Sequence, residues 1–144
     1  PLLSEAQAYV TSHKLENEVH FLGSRTDVDD ILNQNDIFCL ISNYEGLPIS
    51  IIEAMRAGMP IIASNVGGVN ELVQDGVNGF LIPRGNISEL VEKLKYILDH
   101  KELIKFMGEA SRKIYEEEYT ADRMNQKILS VYNEVIAVHK KKVN

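Results

Sequence analysis

The sequence predicts an α/β domain built on a parallel sheet that helices cover on both faces. Four short runs, at 19–22, 37–41, 61–64 and 79–82, are continuously apolar rather than alternating, which is typical of strands buried on both faces. Segments with helical periodicity separate these runs, as the crossovers between parallel strands require. From residue 86 the chain is predicted to be helical to its end. With 144 residues and 44% hydrophobic side chains, we expect one domain with a sizeable core.

The first elements of the chain are short. Residues 2–14 have the periodicity of an amphipathic helix, and the run at 19–22 is predicted to be a strand. A second helix is expected to begin after Thr26, whose side chain would cap it. Asp27 and Asp29 fall in the first turn of this helix, where carboxylates complement the helix dipole.

The strand at 37–41 leads into a polar turn and a helix, and this stretch is the most informative part of the sequence. The strand contains Cys39, the single cysteine, which we interpret as a small buried hydrophobic residue. Pro48 is expected at the first helical position, because its missing N–H group would be unpaired there in any case. The remaining N–H groups of the first turn are then free to bind an anion.

Two carboxylates flank this predicted helix start. Glu45 lies in the turn, and Glu53 falls in the second turn of the helix. Carboxylates repel phosphate, but they accept paired hydrogen bonds from sugar hydroxyls. A helix N-terminus for a pyrophosphate, between two acceptors for hydroxyls, suits a nucleotide sugar. The alternative is that Glu53 faces water beside Arg56 and that Glu45 is an ordinary turn residue, and their spacing alone does not decide between the two.

The segment after this helix continues the alternation of helices and strands. The sequence at 58–60, Gly-Met-Pro, ends the helix and precedes the strand at 61–64. Gly67 and Gly68 then permit either a close approach of the backbone to a ligand or simply a sharp turn. The next helix is short, and its Glu71 is expected to have a structural role on the polar face.

Three helices are predicted after Asn86. Asn86 and Glu89 form a start that resembles a capping box. The last of the three helices begins after Thr120, and it carries an apolar stripe formed by Met124, Ile128, Val131, Val135 and Val138. The sequence at 139–142, His-Lys-Lys-Lys, is interpreted as a solvated tail, the alternative being contact with acidic lipid.

Composition and charge exclude several classes of function. The balance of 15 basic to 21 acidic side chains gives a net charge of −6, which argues against nucleic acid or an anionic membrane as a partner. A single cysteine cannot form a disulfide within the chain, and the 4 histidines lack metal-ligand spacing. No run reaches the ~18 consecutive apolar residues of a membrane span. A dinucleotide-dependent oxidoreductase would need a glycine-rich turn after a first strand, and the sequence has none.

The motifs of the central stretch, taken together, resemble a known family. In chain order they are Glu45-Gly46-Leu47-Pro48, Glu53-Ala54-Met55, Gly58-Met59-Pro60, Gly67-Gly68, Glu71 and Gly79-Phe80-Leu81. The run from Tyr44 to Pro83 resembles the retaining, nucleotide-sugar-dependent glycosyltransferases of the GT-B fold, the "glycosyl transferases group 1" family. The first of these motifs alone would be weak, whereas all of them in this order are specific.

The resemblance implies a Rossmann-like fold, the C-terminal half of a GT-B enzyme, and transfer of a sugar with retention at the anomeric carbon. By this resemblance Glu45 is the catalytic-site residue that positions the donor sugar, Glu53 binds the ribose hydroxyls, and the leaving phosphate takes the acceptor's proton. Neither a cofactor nor a divalent metal is expected, the nucleotide-diphosphate sugar being a substrate. The donor-binding positions implied by the resemblance are Glu45, Gly46, Leu47, Pro48, Ile49, Glu53, Gly23 and Ser24, although a tight turn would explain Gly23 equally well.

The resemblance also sets expectations for the chain as a whole. Residues 1–144 are expected to be a nucleotide-sugar-binding domain that lacks its first strands, with the acceptor domain absent. The strand at 19–22 would then be displaced, paired abnormally or completed by a second copy of the chain, since exposed strand edges promote association. The apolar stripe of the last helix would be partly uncovered. Because neither Arg56 nor Arg84 matches the family's phosphate-binding arginine and lysine, the chain alone is expected to bind donor weakly and not to turn over.

The setting implied by the resemblance is bacterial polysaccharide assembly, of lipopolysaccharide or capsule. The acceptor would be a glycan or a lipid-linked sugar, bound by the absent domain. The expected location is the cytoplasm. The alternative is that the intact enzyme lies at the surface of the inner membrane. The alternative function is a non-catalytic nucleotide-sugar-binding module.

Overall fold

The computed structural model describes residues 2–143, and the side chains of all of these except 137, 138 and 140–143. The elements, in chain order, are α1 (Leu2–Ser12), α2 (Val28–Asn33), β1 (Phe38–Leu40), α3 (Ile49–Arg56), β2 (Ile61–Ser64), α4 (Val69–Leu72), β3 (Gly79–Ile82), α5 (Ile87–Asp99), α6 (Glu102–Ile114), a π-helical segment (Tyr115–Tyr119) and α7 (Ala121–Val143).

The three strands form one parallel sheet in the order β1-β2-β3. Cys39 pairs in register with Ile62, and Ala63 pairs with Leu81. All residues of the central strand β2 are buried. Three of the four predicted strands and their parallel arrangement are therefore confirmed.

Two apolar clusters lie on opposite faces of the sheet, because successive side chains of β2 point to opposite sides. The cluster on the side of α3 and α4 contains Ile51, Met55, Ile61, Ala63, Val69, Leu72 and Val73. The cluster on the side of α5 and α6 contains Ile62, Phe80, Ile82, Ile97 and Met107. Helices thus cover the sheet on both faces, as predicted.

The predicted strand at 19–22 is wrong: this segment pairs with no strand in the described part of the chain. Its apolar side chains remain in contact with solvent, with Phe21 42% exposed and Leu22 56% exposed. A strand exists only where a neighbouring strand accepts its backbone hydrogen bonds, so an apolar run without such a neighbour stays irregular. The segment therefore lies outside the sheet as irregular backbone, and its completion by a second copy remains a prediction.

The predicted burial of Cys39 is also wrong, since this residue is exposed. Its register with Ile62 places its side chain on the face that α5 covers. However, α5 packs mainly on β2 and β3, and Cys39 on the edge strand β1 stays exposed. Continuous apolar runs indicate strands that can be buried, but the coverage of an edge strand depends on its neighbours.

Two predicted helix starts shift by one residue, and two are confirmed. The N-cap of α2 is Asp27 instead of Thr26. Pro48 precedes the first turn of α3 as its N-cap, with φ −71° and the extended ψ of 111°. Asn86 caps α5 as expected, since its Oδ1 accepts from the Glu89 N–H at 3.1 Å. Thr120 likewise accepts from the N–H of Arg123 at the start of α7, at 3.3 Å.

The end of α3 is fixed by a backbone contact with α6. A Cβ atom on Gly108 would lie 2.2 Å from the carbonyl oxygen of Gly58, so only glycine allows this approach. One turn further along α6, Arg112 donates a hydrogen bond to the carbonyl of Arg56. This contact satisfies one of the carbonyls that a helix end leaves unpaired. Gly58, with a φ of +74°, ends α3, and α6 packs closely against that end.

Helix α7 packs against the π-helical segment, and its apolar stripe is largely uncovered. Met124, Ile128, Val131 and Val135 are each at least half exposed, which confirms the expected open stripe. The side chains of Val138 and of lysines 140–142 lie outside the described residues, so the interpretation of the tail stays a prediction. Among the described helices, none has the length and apolar character to cross a membrane.

Candidate functional site

The loop between β1 and α3 is where the loops after all three strands meet. The N–H of Ser42 donates to Oγ of Ser64, at the end of β2, over 3.1 Å. Nε of Arg84, in the turn after β3, donates to Oδ1 of Asn43 at 3.0 Å. The guanidinium of Arg84 also lies 4.6 Å from the centre of the Tyr44 ring. The carboxyl ends of parallel strands are where such sheets bind ligands, which makes this loop the candidate site.

The glycine pair after β2 packs directly against the same loop. The N–H of Gly68 donates to the carbonyl of Gly46 at 2.8 Å. Gly67 has a φ of +53°, and a Cβ atom on it would lie 1.8 Å from the carbonyl oxygen of Glu45. The structure shows the sharp turn, and the close approach it shows is to the protein's own backbone; an approach to a ligand stays a prediction. These glycines position Glu45.

The two predicted site carboxylates have no partner within the described part of the chain. Glu45 and Glu53 are both partly buried, yet neither side chain forms a hydrogen bond or an ion pair there. Arg56, the expected neighbour of Glu53 in the alternative interpretation, instead pairs with Asp29 of α2. Each carboxylate therefore keeps its full capacity to accept hydrogen bonds from a ligand.

The start of α3 supplies free donors between these carboxylates. In the described residues, the N–H groups of Gly46, Leu47, Ile49 and Ser50 donate to no protein acceptor. Pro48 is buried and contributes no N–H group. The helix dipole adds partial positive charge at this end of α3. The loop thus combines donors suited to phosphate oxygens with acceptors suited to hydroxyls.

Glu53 faces a polar cleft between α2 and α3. The cleft has a volume of about 200 Å³ and is lined by Asp29, Leu32, Asn33, Glu53, Arg56, Ala57 and Arg112. A more open groove joins it, lined by residues 26–30 together with Glu53 and Arg56. Ser24 lies in the next groove along, which shares residues 26 and 27 with this one. The structure thus connects Glu53 to the segment of Ser24 by a continuous surface.

A local, exposed ion pair joins Arg25 to Asp27, the N-cap of α2. Arg25 donates to Asp27 through Nε at 2.8 Å and through Nη2 at 2.6 Å. This bidentate bond lowers the pKa of Asp27 and raises that of Arg25. Gly23, one of the predicted positions, has a φ of +67°, a backbone conformation that favours glycine, and no atom lies within 4 Å of the site of a Cβ; its role in donor binding stays a prediction.

Sequence reasoning missed three residues of this site, Asn43, Tyr44 and Arg84. The contact of Arg84 with the loop joins positions 41 residues apart. Nothing local in the sequence marks such a pair. Gly46 in the loop after β1 and the Gly67-Gly68 pair after β2 were a partial signal. Glycines at such positions indicate that a backbone or a ligand approaches closely.

The sequence matches the family described as Glycosyl transferases group 1 over residues 1–114. It is 30% identical over 122 residues to the N-acetyl-alpha-D-glucosaminyl L-malate synthase of Bacillus anthracis, covering 85% of this chain and 32% of that enzyme. It is 39% identical over 95 residues to the UDP-Gal:alpha-D-GlcNAc-diphosphoundecaprenol alpha-1,3-galactosyltransferase of Escherichia coli, covering 66% of this chain and 24% of that enzyme.

Solved structures resemble the fold closely. Anabaena Alr3699/HepE in complex with UDP superposes with a TM-score of 0.87 at 29% identity, covering 92% of this chain and 36% of that one. The same protein in complex with UDP-glucose gives a TM-score of 0.85. The chain spans between 24% and 36% of the length of these relatives. The similarities confirm the predicted Rossmann-like fold class and the resemblance drawn from the motif residues.

Proposed function

The chain belongs to the glycosyl transferases group 1 family, and we propose that it is the donor-binding domain of a retaining glycosyltransferase. The observation that carries this proposal is the pair of partly buried, unpartnered carboxylates, Glu45 and Glu53, on either side of the free N–H groups at the start of α3. The N–H groups can donate hydrogen bonds to a diphosphate, and the two carboxylates can accept hydrogen bonds from the hydroxyls of two sugars. A nucleotide-diphosphate sugar has all of these groups in one molecule.

In this proposal each part of the donor has its own residues. The diphosphate lies against the N–H groups of Gly46, Leu47 and Ile49. Glu53 accepts hydrogen bonds from the ribose hydroxyls, and the base extends along the groove toward Ser24. Glu45 accepts hydrogen bonds from the transferred sugar and positions it. Charged hydrogen bonds of this kind contribute roughly 1.5–3 kcal/mol each.

In the chemical step, this domain has only to hold the donor and to stabilise the charge on the leaving phosphate. The bond between the sugar and the diphosphate breaks, and the acceptor hydroxyl takes the place of the diphosphate with the anomeric configuration retained. The leaving phosphate accepts the proton of the acceptor. The helix dipole and the N–H donors offset the charge that develops on the phosphate, so the proposal assigns no metal and no cofactor.

The acceptor and the rest of the enzyme lie beyond this chain in the proposal. The E. coli relative is named for a sugar acceptor linked to diphosphoundecaprenol, which supports a lipid-linked acceptor in polysaccharide assembly. The acceptor would be bound by a second domain of an enzyme that works at the cytoplasmic face of the membrane. Turnover by the intact enzyme is the property that a non-catalytic nucleotide-sugar-binding module would lack.

Amide chemical shifts of the ¹⁵N-labelled chain test the proposal, because they detect weak binding residue by residue. The probes are UDP, UDP-glucose, GDP and ADP. We expect saturable shifts at the amides of Gly46, Leu47 and Ile49 with at least one nucleotide. Glu53→Gln should weaken binding of that nucleotide about tenfold, whereas Glu45→Gln should weaken only the binding of its sugar conjugate.

The matched control is Glu109→Gln, which removes the same charge from the exposed face of α6 and should leave both affinities unchanged. The proposal is contradicted if no nucleotide or nucleotide sugar shifts these amides at millimolar concentration. Sub-micromolar affinity of the isolated chain would contradict the narrower expectation that this domain binds donor only weakly. Sugar transfer by the intact enzyme that is unaffected by Glu45→Gln would refute the role given to Glu45.

A further inference from the structure

We propose that Arg84 is a positioning residue of the donor site: it fixes the Asn43–Tyr44 part of the β1–α3 loop and thereby sets Glu45 against the donor sugar. The proposal rests on the proposed function, because it concerns how the loop presents Glu45. It assigns to the turn after β3 a role in discriminating a nucleotide sugar from the nucleotide alone.

Arg84 makes two contacts that require different properties of the guanidinium group. Its Nε donates to Oδ1 of Asn43 at 3.0 Å, and its Cζ lies over the Tyr44 ring, 4.6 Å from the ring centre. A directed N–H and a planar, weakly hydrated cation are available together only in arginine. Both contacts fall on the two residues that immediately precede Glu45.

The other side of Glu45 is already fixed by backbone packing. Gly67 lies against the Glu45 carbonyl, and Gly68 donates to the carbonyl of Gly46. On the side that precedes Glu45, the backbone is anchored at Ser42, whose N–H donates to Oγ of Ser64, but Tyr44 next to Glu45 is 80% exposed. Within the described part of the chain, the Tyr44 ring contacts no aromatic or cationic group besides Arg84. Between the Ser42 anchor and Glu45, the side-chain contacts that restrain the loop are therefore those of Arg84 with Asn43 and Tyr44.

A different role for Arg84 would rest on its charge alone. Among the described residues, its two terminal nitrogens donate to no protein acceptor, so they are open to an anionic ligand. Arg84→Lys separates the two roles, because lysine keeps the charge but has neither the Nε–H nor the planar group. Positioning predicts that lysine fails to replace arginine, and a role as a simple cation predicts that it succeeds.

The test compares Arg84→Lys and Arg84→Ala with the parent chain, by titration with UDP and UDP-glucose followed through amide shifts. We expect the affinity for UDP to change less than twofold in both variants. The preference for UDP-glucose over UDP should fall about fivefold in both. Lys105→Ala, which removes one positive charge from the exposed face of α6, is the control and should leave this preference unchanged.

A second measurement does not depend on ligand binding. The heteronuclear ¹⁵N NOE of the Tyr44 and Glu45 amides in the free chain should fall in both Arg84 variants, while that of residues in β2 stays constant and shows that the fold is intact. An unchanged NOE overturns the proposal, and so does a normal UDP-glucose preference in Arg84→Lys. If no nucleotide binds to the parent chain, the proposed function fails, whereas the NOE still decides whether Arg84 restrains the loop.

Discussion

The two carboxylates of the candidate site are held in place by different means. Glu45 lies on a loop, and its position depends on Gly67, Gly68 and Arg84, which come from the loops after two other strands. Glu53 lies on α3, and its position follows from the helix to which it belongs. The difference shows that a helix places a side chain by local geometry, while a loop needs partners that are remote in sequence. We therefore expect the Glu45 half of the site to be the more sensitive to substitutions elsewhere.

The largest effect is expected from Gly67→Ala, which acts on the loop half only. The new Cβ atom would lie 1.8 Å from the Glu45 carbonyl oxygen, and the φ of +53° is unfavourable for alanine. Overpacking and backbone strain together should lower the free energy of unfolding by roughly 2–4 kcal/mol. Urea denaturation measures this loss, and amide shifts at Glu45 and Gly46 locate it.

Gly76→Ala is the matched control for this prediction. Gly76 has a similarly positive φ of +75°, but no atom lies within 4 Å of the site of its Cβ. It should therefore lose only the strain contribution, about 1 kcal/mol. Equal losses in the two variants would show that the backbone contact with Glu45 contributes nothing to stability.

The next effect concerns the binding free energy of the nucleotide sugar, when Glu45 and Glu53 are changed singly and together. Glu53→Gln should cost about 1.4 kcal/mol of binding free energy for UDP-glucose, and Glu45→Gln should cost a similar amount. Because the two halves are held by separate contacts, the losses should add in the double variant to within about 0.5 kcal/mol. Titration of the single and double variants measures this, and a larger coupling term would show that the two halves act as one unit.

The smallest effect is expected from Asp29→Asn, which acts on the helix half. Asp29 and Arg56 form an exposed ion pair between α2 and α3. Exposed pairs contribute at most about 1 kcal/mol, and salt screens them. Urea denaturation at low and high salt should therefore give a small loss that disappears at high salt. A loss that persists at high salt would mean that Asp29 stabilises the cleft by packing instead of charge.

The fold was predictable where an element has a recognisable pattern in its own stretch of sequence. The strands β1, β2 and β3 appear in the sequence as continuous apolar runs, and the Asn86 cap appears as a pair of residues three apart. The run at 19–22 has the same signal and forms no strand, because strand formation also needs a partner. The predicted burial of Cys39 was wrong for a related reason: Cys39 lies on the edge strand β1, and α5 packs mainly on β2 and β3.

The candidate site, like the fold, was predictable where its residues are close together in the sequence. The spacing of Glu45 and Glu53 around Pro48 is local, and the structure places them at the end of β1 and on α3 as expected. The contacts that hold Glu45 join residues from three separate loops, so they follow only once the strand order is known. The sequence could indicate that the glycine pair met something closely, but it could not indicate that the partner was the Glu45 backbone.

The contact between Gly58 and Gly108 limits how this sequence can vary. Any side chain at position 108 would push α6 away from the end of α3, and Arg112 would be carried away from the Arg56 carbonyl with it. Glu53 lies one turn before that end, so a change at position 108 would disturb it. Position 108 takes no part in the candidate site, yet it should tolerate as few replacements as the residues of the site. Mutational intolerance in this chain is therefore not, by itself, evidence that a residue belongs to the candidate donor site.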